Sequence, residues 1–151
     1  LRKFTRFLTG SVEGGDDLFQ DSVERAVRSI EQLHGANSPR AWLFAIARNR
    51  FIDTYRRKTR QPDNVPLNED IHAHRVTAGS TESDFVQDLS RAFANIPADL
   101  RDVMWLVAVE GFTYSEAADI LDVPIGTIRS RVFRAREQLR DEMSDYWSDE
   151  P

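Results

Sequence analysis

The sequence predicts an all-α protein made of two small helical modules, the second a helix-turn-helix, joined by a flexible linker. Three observations carry this. Apolar residues recur at helical spacing on both sides of residues 61–81, and no convincing alternating run argues for a strand. Residues 61–81 hold two prolines and a glycine without a sustained apolar period, the composition of a connector. A chain of 151 residues, 40% hydrophobic and 30% charged, fits one ordinary domain or two small ones. The expected division is a module over 1–60, a linker over 61–81, a second module over 82–147 and a tail over 148–151.

In the first module, Phe19, Val23, Ala26, Ile30 and Leu33 recur in steps of four and three, one apolar stripe on a helix beginning near Asp16 or Asp17. Its opposite face carries Asp17, Gln20, Asp21 and Glu24. Gly35-Ala-Asn-Ser-Pro39 breaks that helix, and Ser38 before Pro39 reads as the cap and first turn of the next. This second helix, from about Pro39 to Lys58, carries apolar residues in nearly every direction. It is therefore either the central helix of its module or a displayer of aromatics to a partner.

In the second module, Phe85, Leu89, Ala92, Phe93 and Ile96 mark a short amphipathic helix that Pro97 ends or redirects. Leu100, Val103, Met104, Leu106 and Val107 mark another, with Gly111 where a C-terminal glycine belongs. Thr113-Tyr-Ser-Glu116 fits a capping box, opening a helix through Leu121. Asp122-Val-Pro124 turns the chain into a long last helix from Ile125 to about Glu142.

That order, short capped helix, tight turn, second helix, is the helix-turn-helix arrangement, in which the second helix reads the major groove from its N-terminal part. On the last helix Ile128, Val132, Ala135 and Leu139 form a narrow stripe to bury. Thr127, Arg129, Ser130, Arg131, Phe133 and Arg134 stay outside it. Arg pairs bidentately with guanine, and Ser or Thr reaches base edges or phosphates. The competing reading of this pattern alone is an αα-hairpin with solvated arginines.

A net charge of −5 argues at first against a nucleic-acid partner, but its distribution does not. Residues 40–60 carry seven Lys and Arg against one acid, and residues 127–140 five against one. Residues 61–99 and the last eleven are acidic instead. Two basic patches separated by an acidic connector are a partner signal. The linker's 21 residues span at most about 70 Å, enough for both patches to reach one duplex at points somewhat under two helical turns apart.

Other classes are disfavoured. There is no cysteine for a disulfide, thiolate zinc site or nucleophile, and no apolar run long enough for a membrane span. A reducing, cytoplasmic setting without membrane insertion is expected. His72 and His74 lack a third ligand nearby, and Ser115, His34 and the scattered acids form no catalytic set, so no metal, cofactor or enzymatic activity is expected.

Pro97-Ala-Asp-Leu-Arg101, Glu110-Gly-Phe-Thr-Tyr-Ser-Glu116 and Val123-Pro-Ile-Gly-Thr-Ile-Arg-Ser-Arg131-Val-Phe-Arg134 together resemble region four of the extracytoplasmic-function (ECF) sigma factors of bacteria. Asp16-Asp-Leu-Phe-Gln20-Asp and Ala41-Trp-Leu-Phe-Ala-Ile-Ala-Arg-Asn49-Arg-Phe-Ile-Asp53-Thr-Tyr-Arg56-Arg resemble region two of the same family. The resemblance implies a non-enzymatic factor that binds core RNA polymerase and directs it to promoter DNA, with an anti-sigma factor as a further partner. It implies that Asp17, Gln20, Asp21 and Glu24 meet the polymerase. Asn37, Ser38, Arg48, Asn49, Asp53, Arg56, Arg57 and Lys58 would handle the minus-ten element. Thr127, Arg129, Ser130, Arg131, Phe133 and Arg134 would read the minus-thirty-five element. The segment before Leu8 is shorter than the family usually shows, so the start of region two is expected to be absent. The alternatives are a standalone helix-turn-helix regulator and a sigma-like decoy for an anti-sigma protein.

Overall fold

A computed structural model of the chain describes residues 1–60 and 83–146. The connector expected at 61–81, His72, His74 and the tail from 148 lie outside the described residues, within which every regular element is helical.

The chain opens with α1, Arg2–Thr9, which sequence periodicity left unassigned. It buries Phe4, Phe7 and Leu8 and ends at Gly10 in the left-handed region, φ 76°, a conformation that favours glycine. Helix α2, Val12–Arg28, is capped by Ser11, whose Oγ accepts the Gly14 N–H at 3.0 Å. The two helices cross closely. A Cβ on Gly15 would stand 2.5 Å from the Arg6 Cα, and Arg6 forks onto Asp16 at 2.9 and 3.0 Å.

That crossing corrects the stripe expected on α2. The buried face is Gly15, Leu18, Ser22 and Ala26, whereas Val23 and Ile30 are exposed. Ser22 hides its polarity by donating to the Leu18 carbonyl at 2.6 Å, so the buried face of α2 contains a residue that hydrophobic periodicity does not count. The helix also starts earlier than Asp16, and residues Ile30–Gly35 form a separate 3-10 helix.

Helix α3, Pro39–Thr59, is capped by Ser38, whose Oγ accepts the Ala41 N–H at 3.2 Å. It packs against α1 and α2 on one side and against α6 of the second module on another. Of the two readings that its all-round apolar residues left open, this is the central position, although Trp42 and Leu43 still line an open groove. The second module runs through α4 (Asp84–Asn95), α5 (Ala98–Met104), a π-helical segment (Trp105–Val109), α6 (Tyr114–Leu121) and α7 (Ile125–Glu142). After α7, Met143 is buried and Tyr146 returns to α4, donating its hydroxyl to Asp88 at 2.5 Å and meeting Phe85 edge-on.

The two modules share an apolar core, which their reading as tethered heads did not anticipate. Phe4, Phe7, Phe44, Val103, Leu106, Phe112, Ala117, Ile120 and Ile128 belong to one buried cluster. Phe7 stacks on Trp105, and Phe44 meets Phe112 edge-on at 4.9 Å. The physical reason lies in α3. Helices α1 and α2 cover only part of its apolar circumference, and burying the remaining aromatic surface favours closure over exposure to water.

Candidate nucleic-acid interface

Three local devices build the second-module site. Thr113 Oγ1 accepts the Glu116 N–H at 3.1 Å while the Glu116 carboxylate accepts the Thr113 N–H at 2.8 Å, a reciprocal box that fixes the start of α6. The Thr113 amide, with lesser help from the Ser38 and Thr113 hydroxyls and from Arg40, holds the Glu116 carboxyl below its ordinary pKa. Asp122 then takes a left-handed conformation, φ 53°, in the turn, and Pro124 starts α7. Ala117 and Ala118 are buried where the two helices approach, and Ile128, Val132 and Ala135 seat α7 on the core.

With that stripe buried, Arg129, Ser130, Phe133 and Arg134 are exposed along the N-terminal half of α7, Phe133 at 63%. Ser130 donates to the Thr127 carbonyl at 3.0 Å, and Thr127 itself is half-buried. Arg131 is drawn inward instead, its Nε 3.5 Å from Asp99 of α5. Arg136 and Arg140 continue the basic surface toward the C-terminus.

On the first module, Asn37 is exposed and Ser38 is partly used as the α3 cap. Asn49, Asp53, Arg56, Arg57 and Lys58 lie exposed along the second half of α3. Arg48, on the same helix, is half-buried. Burial lowers its pKa, and the Asp102 carboxylate opposes that shift. Asp17, Gln20 and Glu24 are exposed on α2, while Asp21 accepts from Arg50 Nε of α3 at 2.5 Å. Beside them Val23, Val27, Ile30, Leu33, Trp42 and Leu43 line an open apolar groove of about 430 Å³.

Sequence reading missed the charges at the seam between modules. Asp102 Oδ1 is closed off from solvent without a hydrogen-bond partner. Desolvation raises this carboxyl to about 6 against the opposing pull of Arg48, Arg101 and Arg131, with Asp99 adding to the rise. Arg40 donates to the Glu110 carbonyl and carboxylate, both at 3.0 Å, and lies 4.1 Å over the Phe112 ring. The available signal was Arg101-Asp102 set between Leu100 and Val103, a charged pair interrupting an apolar stripe. Among the described residues no cluster of metal-ligating side chains occurs, and no helix is long and apolar enough to cross a membrane.

Comparison with known proteins finds two family regions along the chain. Residues 1–61 match the family described as Sigma-70 region 2 and residues 87–139 the one described as Sigma-70, region 4. The chain is 36% identical over 142 residues to the ECF RNA polymerase sigma factor EcfG of Rhodopseudomonas palustris, covering 92% of this chain and 76% of that protein. It is 32% identical over 154 residues to the ECF RNA polymerase sigma-E factor of Haemophilus influenzae, covering 93% and 82%. Among solved structures it is similar to the sigma factor RpoE in complex with the anti-sigma factor NepR from Bartonella quintana. That likeness has a TM-score of 0.71 at 30% identity, over 99% of this chain and 91% of the other. With both family regions present in order on an all-helical fold, the chain belongs to the ECF sigma factors of the sigma-70 family.

Proposed function

We propose a division of labour within an ECF sigma factor that binds core RNA polymerase and directs it to promoter DNA. Residues 1–60 act as region 2 and residues 82–147 as region 4, with 61–81 as the tether between them. The observation that carries this is α7, held by Ile128, Val132 and Ala135 with Arg129, Ser130, Phe133 and Arg134 turned outward behind a capped α6. Those four, with Thr127 and Arg131, read the minus-thirty-five element: the arginines through guanine edges or phosphates, and Phe133 by apolar contact with a thymine methyl.

Region 2 meets the minus-ten element with Asn37, Ser38, Arg48, Asn49, Asp53, Arg56, Arg57 and Lys58. A polar rim suits an unstacked base, and the basic end of α3 suits separated phosphates. Asp17, Gln20, Asp21 and Glu24 face the polymerase from α2. An anti-sigma factor is a further partner, as in the solved RpoE–NepR complex. The factor acts in the cytoplasm with the polymerase, which supplies all the chemistry.

Run-off transcription with core polymerase on a promoter library tests the reading. Transcripts should depend on the chain, and Arg134→Ala should lose activity at the cognate upstream element. A standalone regulator would leave promoter selection by core polymerase unchanged.

A further inference from the structure

Arg48 and Arg131 are assigned above to promoter elements up to two helical turns, about 70 Å, apart. The fold nevertheless brings both to one cluster of charge. Arg131 of α7 has its Nε 3.5 Å from Asp99 of α5, and Arg48, half-buried on α3, lies within electrostatic reach of the enclosed Asp102 carboxyl on that same α5. Helix α3, which carries Arg48, packs on α6 within one shared core, and Arg131 is paired with Asp99; regions closed on each other in this way cannot also contact duplex sites that far apart, so the arrangement described here is not the one that engages a promoter. Ser38 of the minus-ten set is likewise engaged, its Oγ accepting the Ala41 N–H as the cap of α3 and helping to hold the Glu116 carboxyl at the head of α6 below its ordinary pKa.

The seam that enforces this has a polar closure outside the stacked aromatics. Arg40, at the first turn of α3, reaches Glu110 twice at 3.0 Å and covers the rings of Phe112 and Phe44 at 4.1 and 5.2 Å. The other Glu110 oxygen accepts the Trp105 Nε1–H at 3.2 Å, and Trp105 in turn stacks on Phe7. Glu110 follows the π-helical segment directly, its N–H donating five residues back to the Trp105 carbonyl. That one extra residue per turn brings the Trp105 and Glu110 side chains together on the face toward Arg40.

We propose that this packing is a self-inhibited form of the sigma factor, latched by Arg40 on Glu110 and Phe112, and opened when core polymerase takes the two regions apart. In the closed form Asp99 stands in for a promoter phosphate, holding Arg131 out of reach of DNA, while Arg48 is kept half-buried on α3 beside the seam. This rests on the sigma-factor reading for its biological sense; its physical content is that the free chain is closed and binds DNA poorly because it is closed.

The test uses the full chain and the variant Arg40→Glu, which sets two carboxylates against each other at an exposed position. Small-angle scattering of the free variant should give a larger radius of gyration than wild type. A fluorescent duplex of arbitrary sequence at low salt should bind it at least about fivefold tighter, even though the substitution removes positive charge and would otherwise weaken binding. The charge swap Arg40→Glu with Glu110→Lys should return both readings toward wild type. Arg40→Ala, a milder change, should shift both readings the same way, and circular dichroism should show all variants folded. Equal radii together with equal or weaker DNA binding in Arg40→Glu and Arg40→Ala would overturn the latch. Run-off transcription with saturating core polymerase should be unchanged by Arg40→Glu. Because the scattering and binding arms contain no polymerase, absence of any transcript with wild type would remove the sigma-factor reading while those arms still decide the latch.

Discussion

Phe7 and Trp105, separated by 98 positions in the sequence, lie face to face with ring centroids 4.3 Å apart and planes 10° from parallel. One ring belongs to the first helix of region 2 and the other to the π-helical segment of region 4, so the pair couples the two regions directly. Trp105→Ala should destabilise the chain by about 3 kcal/mol, the lower end for truncating a packed aromatic, because this ring is only half-buried. Urea unfolding followed by circular dichroism should show one transition in wild type and two in the variant. Two well-separated transitions in wild type would sink the shared core.

Gly15 admits no side chain. An added Cβ would lie 2.4 Å from Arg6 Cγ and 2.5 Å from its Cα, and backbone cannot step aside as a flexible side chain can. Gly15→Ala should therefore cost about 1 to 3 kcal/mol despite the better helix propensity of alanine. Gly35→Ala, with nothing within 4 Å, should be close to neutral, and the two midpoints in urea provide the comparison.

The reciprocal cap on α6 predicts that Thr113→Ala lowers stability by about 1 kcal/mol. The loss should show as a shift in the urea midpoint with an unchanged slope, since the cap orders one helix end without altering the surface exposed on unfolding.

Asp102 supplies a pH dependence with a definite sign. Its carboxyl titrates at about 6 in the folded chain against an ordinary 3.8, so between those values the folded form keeps a proton that the unfolded chain has released. Stability contributed by the neutral carboxyl is complete below about pH 4 and is lost as pH rises through 6, by up to about 3 kcal/mol. Asp102→Asn should therefore raise the melting temperature near pH 7.5 and leave it nearly unchanged near pH 4. The acids Asp16 and Glu116, held below their ordinary range by Arg6 and the Thr113 amide, titrate the opposite way at lower pH and are common to both proteins. A constant offset between the two melting curves at every pH would contradict the assignment.

On α7, Arg134 is exposed whereas Arg131 is already paired with Asp99. Arg134→Ala should cost about 1 to 3 kcal/mol at the cognate upstream element. Asp99→Asn should do the reverse, tightening DNA binding by less than about fivefold, because a partly exposed ion pair is worth only about 0 to 1 kcal/mol. Binding titrations of the two variants against one promoter duplex separate these expectations.

Local patterns placed most of the helices. Ser38-Pro39 marked the start of α3, Thr113 and Glu116 the start of α6, and Asp122-Val-Pro124 the turn into α7, because each is a hydrogen-bonding or steric requirement met within a few residues. The burial stripe of α7 was legible for the same reason: a single interface at helical period leaves a readable trace. The face of α2 was not, since its neighbour α1 has only eight residues and no side-chain cap, the close approach to α1 is made at Gly15, and the buried face includes Ser22, neither of which hydrophobic periodicity counts.

The sequence by itself determined an all-helical chain, two basic patches, a capped helix-turn-helix and the family motifs, all properties of local spacing and composition. Only the tertiary structure decided that α3 presents one side to α1 and α2 and another to α6, and that Arg40 meets Glu110 and Phe112 while Phe7 stacks on Trp105. Those contacts join residues up to about a hundred positions apart. Their stability comes from apolar area and desolvated charge that exist only once both regions meet, and no local period encodes which distant surface will cover a helix that is apolar all round.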